Sequence, residues 1–261
     1  MTDLPKFGPN DSRSRYEAPA LEKGLEILEL LASAGTPQAM MDIANALGRS
    51  RNEIYRMLVV LERRGYLARL TDDRFELSNR LFDMAMRMAP TRNLHDAALP
   101  TMHRLAEQIY QSCHLVVMNE DEITVVARVE SPDLLGFAVR IGYHRPVVLS
   151  TSGRLLFAAL PPDQQARRLP GLRASASVAD FERFQADCEK IARKGFHIGP
   201  SAFVDAVTDL GVPIFDGTTE GAAAALIVPY VSGRSARSTL DEALEALQAS
   251  GAIISGALRN G

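Results

Sequence analysis

A helix-capping signal at residues 50–53 is the strongest local constraint in this sequence, because it fixes where a helix begins. In an S-x-x-E box, here Ser50 and Glu53, the two side chains satisfy each other's backbone N–H groups. The predicted helix therefore begins at Ser50. With about 100° of rotation per residue, Leu58 and Leu61 fall within roughly 40° of Ile54, so these three side chains predict the buried stripe.

The rest of this helix presents side chains that suit DNA. Guanidinium groups bridge guanine O6 and N7, a carboxamide pairs with adenine, and hydroxyls with helix N-terminal amides hold phosphate. A solvated face with ordinary ion pairs is the alternative for any single arginine. The candidate DNA-binding residues of this helix are Ser50, Arg51, Asn52, Tyr55 and Arg56.

The surroundings of the helix favour the DNA interpretation. A helical pattern begins at Ala20, a second short helix is expected from Gln38 to Leu47, and strands at 66–70 and 74–77 alternate around a turn. Three helices followed by a hairpin are the order of a winged helix-turn-helix. Arg74 on the hairpin is a further candidate for DNA contact, although it could equally pair with Asp72.

Local charge agrees with this placement. The whole chain carries a formal net charge of -3, which gives no global sign of nucleic-acid binding. Between Arg49 and Arg80, however, eight arginines stand against five acidic residues, so 8 − 5 = +3. A basic patch on a mildly acidic chain suits a regulator whose second domain stays off the DNA.

The second half of the chain predicts an α+β fold with an antiparallel sheet. Two β-branched runs in "SCHLVVMNEDEITVVARVE" form a hairpin, and "GFAVRIG", "RPVVL", "GFHIG", "VTDLGVPIFD" and "AAALIVPYV" are predicted as further strands. Helices are expected around "TSGRLLFAAL", from Val178 to Arg193 and from Ser235 to Leu258, and one from Leu94 to Gln111 is interrupted by Pro100. The predicted organisation is a flexible tail (1–17), a winged helix-turn-helix domain (18–80), a linker helix (81–92) and a second domain (93–261).

Candidate ligand-binding residues lie in three places in the second domain. Hydroxyls at a helix start can hold an anion, a carboxylate in an apolar strand is unusual, and a nearby cation can neutralise a carboxylate ligand. Helix capping, solvent exposure and a subunit interface are the structural alternatives. The candidates are Ser150, Thr151, Ser152 and Gly153 at the helix start, Thr208 and Asp209 in the strand, and Arg140 and Tyr143 nearby.

Several classes of site are not predicted. No zinc spacing, nucleophile elbow or glycine-rich phosphate loop is present, so we expect no metal, catalytic site or cofactor. His114 beside an apolar run is interpreted as a core residue. The longest apolar run is too short to span a bilayer, and the N-terminus lacks a secretion signal, so a cytoplasmic protein with reduced Cys113 and Cys188 is expected.

Long segments of both halves resemble IclR-family bacterial transcriptional regulators. They are "ALEKGLEILELLAS" and "DIANALGRSRNEIYRMLVVLERRGYL" in the first half, then "RIGYHRPVVLSTSGRLLFA" and "VTDLGVPIFD" in the second. The resemblance implies a GAF-like effector-binding domain with a pocket over its sheet, and homodimers or homotetramers. Asn52 and Glu53 depart from the small hydroxyl residues common in the family, and Arg154 replaces its usual lysine.

The sequence therefore predicts a regulator that binds a partly palindromic double-stranded DNA operator. A small organic acid, specifically a carboxylate, is expected to modulate it from the second domain. The alternative is a small-molecule-processing enzyme with an appended helical dimerisation domain.

Overall fold

The computed structural model describes residues 18–87, 89–133, 136–201, 204–233 and 237–260. The chain divides into two compact units, residues 1–89 and 90–261. The predicted flexible tail at residues 1–17 lies outside the described ranges. Within those ranges, no helix is both long enough and apolar enough to cross a membrane.

The first unit consists of short helices and a small antiparallel sheet. Its elements are α1 (Pro19–Ala34), β1 (Gln38–Ala39), α2 (Met40–Ala46), α3 (Arg51–Arg63), β2 (Leu67–Arg69), β3 (Arg74–Leu77) and α4 (Arg80–Met86). The strand order is β1-β3-β2, with β2 and β3 forming the predicted hairpin. The core joins α1, α2 and α3 to the hairpin through Ile27, Ile43, Ile54, Leu58 and Phe75.

Two boundaries in this unit differ from the prediction. Gln38 and Ala39 are not helical but pair with Phe75 and Arg74, so the hairpin gains a third strand. The predicted linker helix over 81–92 is not a single helix, since α4 ends at Met86 and α5 begins at Ala89. Local apolar spacing could not reveal either change, because a two-residue strand has no period of its own.

The second unit is a six-stranded antiparallel sheet with helices on both faces. Its elements are α5 (Ala89–Ile109), β4 (Cys113–Asn119), β5 (Glu122–Val129), β6 (His144–Pro146), α6 (Thr151–Ala158), α7 (Pro162–Ala174), α8 (Val178–Lys194), β7 (His197–Pro200), β8 (Val207–Ile214), β9 (Ala224–Val231) and α9 (Leu240–Asn260). The strand order is β6-β5-β4-β9-β8-β7, and every neighbouring pair is antiparallel.

Two apolar cores lie on opposite faces of this sheet. One packs α5 and α9 against residues such as Leu115, Leu210 and Val212. The other packs α6 and α8 against residues such as Val116 and Ile227. Side chains alternate between faces along a strand, so the face of each polar strand residue follows from its neighbours.

Several predictions for the second unit were wrong in detail. The segment "GFAVRIG" is irregular rather than a strand, and in "RPVVL" the strand ends at Pro146 before a 3-10 turn. Helix α7 was not predicted, and α5 continues through Pro100. Pro100 is exposed, so water can bind the carbonyl that loses its helical partner. The closing helix begins at Leu240 rather than at 235, and residue 235 lies outside the described ranges.

Candidate nucleic-acid interface and ligand cavity

The start of α3 is fixed by the predicted capping box. The Glu53 N–H donates to Ser50 Oγ at 3.4 Å, and the Ser50 N–H donates to Glu53 Oε2 at 3.2 Å. Lys23 Nζ, on α1, donates to Glu53 Oε1 at 2.6 Å. The Lys23 hydrogen bond, followed by those from Ser50, lowers the pKa of Glu53 to about 2. The Glu53 carboxylate is therefore held by the helix start and α1.

The four other candidate residues of α3 are all exposed. Tyr55 is 53% exposed, whereas Ile54 and Leu58 are fully buried. Arg56 Nε donates to the Asn52 carbonyl at 3.2 Å, which orients its guanidinium along the helix. Within the described ranges, no acidic side chain forms an ion pair with Arg51 or with Arg56. The neighbouring Arg49, by contrast, pairs with Glu26 at 3.1 Å.

Arg74 is engaged at the tip of the hairpin. Its Nε donates to Asp72 Oδ2 at 2.6 Å, and this hydrogen bond lowers the pKa of Asp72. Both side chains remain 48% exposed, and exposed ion pairs of this kind contribute little free energy. Arg74 therefore forms the ion pair with Asp72 that was the alternative to DNA contact. Because this pair contributes little free energy, a DNA phosphate can replace the Asp72 carboxylate.

A cavity of about 30 Å³ lies between the sheet and the start of α6. It brings together five of the eight predicted ligand residues with apolar side chains of β4, β5 and β9. The lining is His114, Val116, Ile123, Val125, Phe137, Val139, Tyr143, Ser150, Thr151, Ser152, Ser201, Asp209, Ile227 and Pro229.

The other three predicted residues do not line the cavity. Arg140 is exposed, and its carbonyl accepts the Tyr143 N–H in a turn. Thr208 lies on the opposite sheet face from Asp209, because strand side chains alternate and Leu210 belongs to the core under α5 and α9. Gly153 instead provides space, since a Cβ there would lie 2.3 Å from the Val147 carbonyl oxygen.

Of the lining residues that the structure describes, Asp209 alone carries a carboxylate, and it is buried. The Thr151 hydroxyl donates to its Oδ2 at 2.9 Å, and Ser201 supplies a second side-chain hydrogen bond. Burial nonetheless raises the pKa of Asp209, with the two hydrogen bonds opposing that shift. The Asp209 carboxyl therefore holds its proton more tightly than an exposed aspartate does.

The first turn of α6 forms the polar edge of the cavity. Ser150 is the N-cap, and its Oγ accepts the Gly153 N–H at 3.0 Å. Because Ser150, Thr151 and Ser152 are all buried, their hydroxyls lie in a low-dielectric site where hydrogen bonds are strong. Among the residues that the structure describes, the lining contains no lysine or arginine. A ligand anion would therefore be held by hydroxyls and helix amides rather than by a formal positive charge.

Sequence reasoning missed His114 and Phe137 as cavity residues. His114 is buried, as expected for a core residue, but it also lines the cavity, and burial lowers its pKa to about 4. Phe137 and Val139 reach the cavity from the segment mispredicted as a strand. The spacing 137, 139 was the available signal, since alternate residues of an extended segment face one way.

The described residues contain no cluster of histidine, cysteine and acidic side chains that could hold a metal ion. Cys113 and Cys188 are buried thiols, and burial raises the pKa of each to about 12. Neither thiol therefore has the low pKa that a nucleophilic cysteine requires.

Family models match most of the chain. Residues 20–71 match the IclR helix-turn-helix domain, and residues 86–256 match the bacterial transcriptional regulator IclR C-terminal model. The chain is 24% identical to the probable transcriptional regulator SauR of Cupriavidus necator, over 88% of this chain and 91% of that protein. It is 22% identical to the transcriptional repressor IclR of Escherichia coli, over 87% of this chain and 84% of that protein.

Solved structures of similar fold cover nearly the whole chain. An IclR homologue from Microbacterium hydrocarbonoxydans, complexed with 4-hydroxybenzoate, aligns with a TM-score of 0.77 at 22% identity, covering 93% of this chain and 100% of that one. HmgR of Pseudomonas aeruginosa aligns with a TM-score of 0.71 at 22% identity, covering 92% and 98%. At such identities the likeness establishes the fold.

Proposed function

This chain belongs to the IclR family of bacterial transcriptional regulators, and from that premise we propose that α3 binds a DNA operator under the control of a small organic acid. The matched domains and the relatives are DNA-binding regulators rather than enzymes, which removes the enzyme alternative. A bacterial regulator of this kind acts in the cytoplasm, where its DNA lies.

The observation that carries the DNA proposal is the grouping of exposed polar side chains at the capped start of α3. Arg51, Asn52, Tyr55 and Arg56 are exposed, while the opposite side of the helix is buried. In a winged helix-turn-helix the leading end of the third helix enters the major groove. Arg56 and Asn52 then contact bases, Ser50 and Tyr55 contact phosphate, and Arg74 exchanges Asp72 for the DNA backbone.

A second copy of the chain is the proposed partner of the DNA-binding unit. Leu21 and Leu25 on α1 are 63% and 48% exposed, and Phe82 on α4 is 64% exposed. Large apolar side chains left in water favour association, because their burial releases about 25 cal/mol per Å². A homodimer, or a homotetramer built from dimers, would place two α3 helices on a partly palindromic operator.

The cavity beside α6 is the proposed effector site. Its apolar strands suit the body of a small carboxylic acid, and its hydroxyls and helix amides suit the carboxylate. The 4-hydroxybenzoate complex of the Microbacterium homologue supports a hydroxylated aromatic acid as one member of this class. Asp209 would accept a hydrogen bond from a ligand hydroxyl. The small volume, about 30 Å³, means that such a ligand must open the cavity.

Regulation requires that the acid bind the DNA-competent state and the other state with different affinity. The test is a fluorescence-anisotropy titration with DNA from upstream of the protein's own gene or of neighbouring genes. The titration is then repeated with those organic acids that raise the melting temperature of the protein. Specific binding that an acid shifts at least fivefold supports the proposal. Absence of any specific DNA fragment contradicts it.

A further inference from the structure

A polar cleft lies between α8 and β7, with Arg154 of α6 in its lining. Its volume is about 340 Å³, much larger than the cavity at Asp209. Among the described residues of its lining, four are basic and one is acidic, so 4 − 1 = +3. The charged residues of the lining are Arg154 on α6 and Arg183, Asp187, Lys190 and Lys194 on α8.

Arg154 is the buried member of this cluster. The residue is only 9% exposed, and its nearest acidic group, Asp187, lies 3.6 Å from Nη1. Nη2 makes one long hydrogen bond, 3.5 Å, to the Val148 carbonyl. Nε is buried and has no hydrogen-bond partner among the residues that the structure describes. Burying a guanidinium with an unsatisfied donor costs free energy unless a ligand supplies an acceptor.

His197 on β7 has the same deficiency in the same cleft. It is 8% exposed, and its buried Nε2 meets no partner within the described ranges. The imidazole lies over Gly199, where an added Cβ would come within 3.0 Å of Nε2. In the tautomer with its proton on Nε2, His197 would donate a hydrogen bond from this atom, and the cleft would then hold two buried donors without acceptors among the described residues.

We propose that the cleft between α8 and β7 binds a phosphate group, either as the free ion or as a small phosphate monoester. A dianion matches the local excess of positive charge better than a monocarboxylate does. Arg154 and His197 donate at the buried end, while Lys190 and Lys194 stand at the exposed end, as in sites where arginine fixes the geometry and lysine adds charge. The volume leaves room for the organic part of an ester.

This site is adjacent to the proposed effector cavity. Ser201 lines both; burial raises the pKa of Asp209, and the positive charge of Arg154 is one of the smaller effects that oppose this rise. A bound phosphate would offset that charge, so the two sites are electrostatically linked. The phosphate proposal does not require that the chain bind DNA or an organic acid, so it can fail or succeed separately from the proposed function.

Equilibrium dialysis of the full chain with radiolabelled inorganic phosphate, at fixed ionic strength set by sodium chloride, tests the proposal. We expect one saturable site per chain. Arg154→Met and the double substitution Lys190→Gln with Lys194→Gln should each weaken it at least tenfold. Arg167→Gln, on exposed α7 and paired with Asp163, is the matched control and should change affinity less than twofold.

Two further arms separate the possible sources of binding. Arg51→Ala with Arg56→Ala removes the basic face of α3 and should leave phosphate affinity unchanged; loss of binding there would overturn the proposal. Competition with glycerol 3-phosphate, ribose 5-phosphate and succinate distinguishes the ligand. A monoester that displaces phosphate at lower concentration identifies the ester as the ligand. Equal displacement by succinate, or by chloride alone, overturns the phosphate assignment.

Discussion

The Thr151 hydroxyl donates a 2.9 Å hydrogen bond to Oδ2 of Asp209, which joins the first turn of α6 to β8. Both residues are buried and both line the small cavity. The bond holds the helix start against the sheet at the place where the proposed effector binds. The predicted hydroxyl cluster and the predicted strand carboxylate thus form one site.

Replacing Thr151 with valine should destabilise the second unit and weaken effector binding. The substitution keeps the shape but leaves the buried Asp209 with one fewer donor, which costs about 1–3 kcal/mol. Chemical denaturation with and without a stabilising acid measures both effects. Thr151→Ser keeps the hydroxyl and is the control. Equal stability of the valine and serine variants would contradict this role.

Gly153 in α6 has no space for a side chain, and Gly256 in α9, which has such space, is its control. A Cβ at Gly153 would lie 2.3 Å from the Val147 oxygen and 2.5 Å from Ser150 Oγ, whereas at Gly256 in α9 nothing lies within 4 Å. Gly153→Ala should therefore cost about 1–3 kcal/mol or more through overpacking. Gly256→Ala should stabilise by about 0.5–1 kcal/mol, because alanine loses less entropy in a helix. Thermal unfolding of both variants decides; a Gly153→Ala protein as stable as wild type refutes the packing argument.

We expect Asn52 to determine base preference and its neighbour Glu53 to stabilise the first unit. Asn52 is exposed, so Asn52→Ser should change the preferred base at one operator position and alter stability by less than about 0.5 kcal/mol. Glu53 is held by Ser50 and Lys23, so Glu53→Ala should lower the melting temperature of the first unit without changing base preference. A panel of single-base operator variants, together with thermal unfolding, measures both. A change of base preference in Glu53→Ala with stability intact would reverse the assignment.

Buried His114 and His197 should make the second unit lose stability in mild acid. Burial lowers the pKa of each from 6.5 to about 4. The unfolded chain therefore takes up these protons at a higher pH than the folded chain, and the free energy of unfolding falls as pH decreases from about 6.5 towards 4. A shift of this size corresponds to at most about 3 kcal/mol for each histidine. Urea unfolding in phosphate-free buffers from pH 7.5 to 4.5 measures this.

The matched variants for that experiment are His197→Gln, His114→Gln and His103→Gln. The first two remove one buried imidazole each and should flatten the decline in stability with falling pH. His103 is exposed on α5, so its replacement should leave the curve as in wild type. Identical curves for all three variants would show that these buried histidines do not govern acid sensitivity.

Elements that depend only on residues close in sequence were predicted correctly. The capping box gave α3 its start at Ser50, and alternation of β-branched residues gave the hairpin of β4 and β5, because each depends on neighbours in sequence. The pairing of Gln38 with Phe75 and the helix through Pro100 depend on tertiary contact and on water, which spacing does not record. The order of the two domains followed from the change of period along the chain, and the IclR resemblance agreed with it.

For the candidate sites, too, residue type was informative but tertiary contacts were not predictable. Thr151 and Asp209 were predicted from residue type, but their bond became visible only once α6 was placed on the sheet. Thr208 was wrong as a cavity residue because the face of β8 depends on the packing of Leu210. Arg154 was noted for replacing a lysine, and its burial beside His197 could not be read from positions 43 residues apart in sequence (197 − 154).

The most direct test of the account is the affinity of the chain for its operator, measured against salt concentration for wild type and for Arg51→Ala with Arg56→Ala. Phosphate contacts release counterions, so wild-type log affinity should fall linearly with log salt. Loss of a base contact should cost about 1–3 kcal/mol of discrimination against a mismatched site. We expect weaker, less selective binding by the double variant, and unchanged binding by Arg167→Ala. An operator affinity and selectivity in the double variant equal to wild type would contradict the assignment of α3.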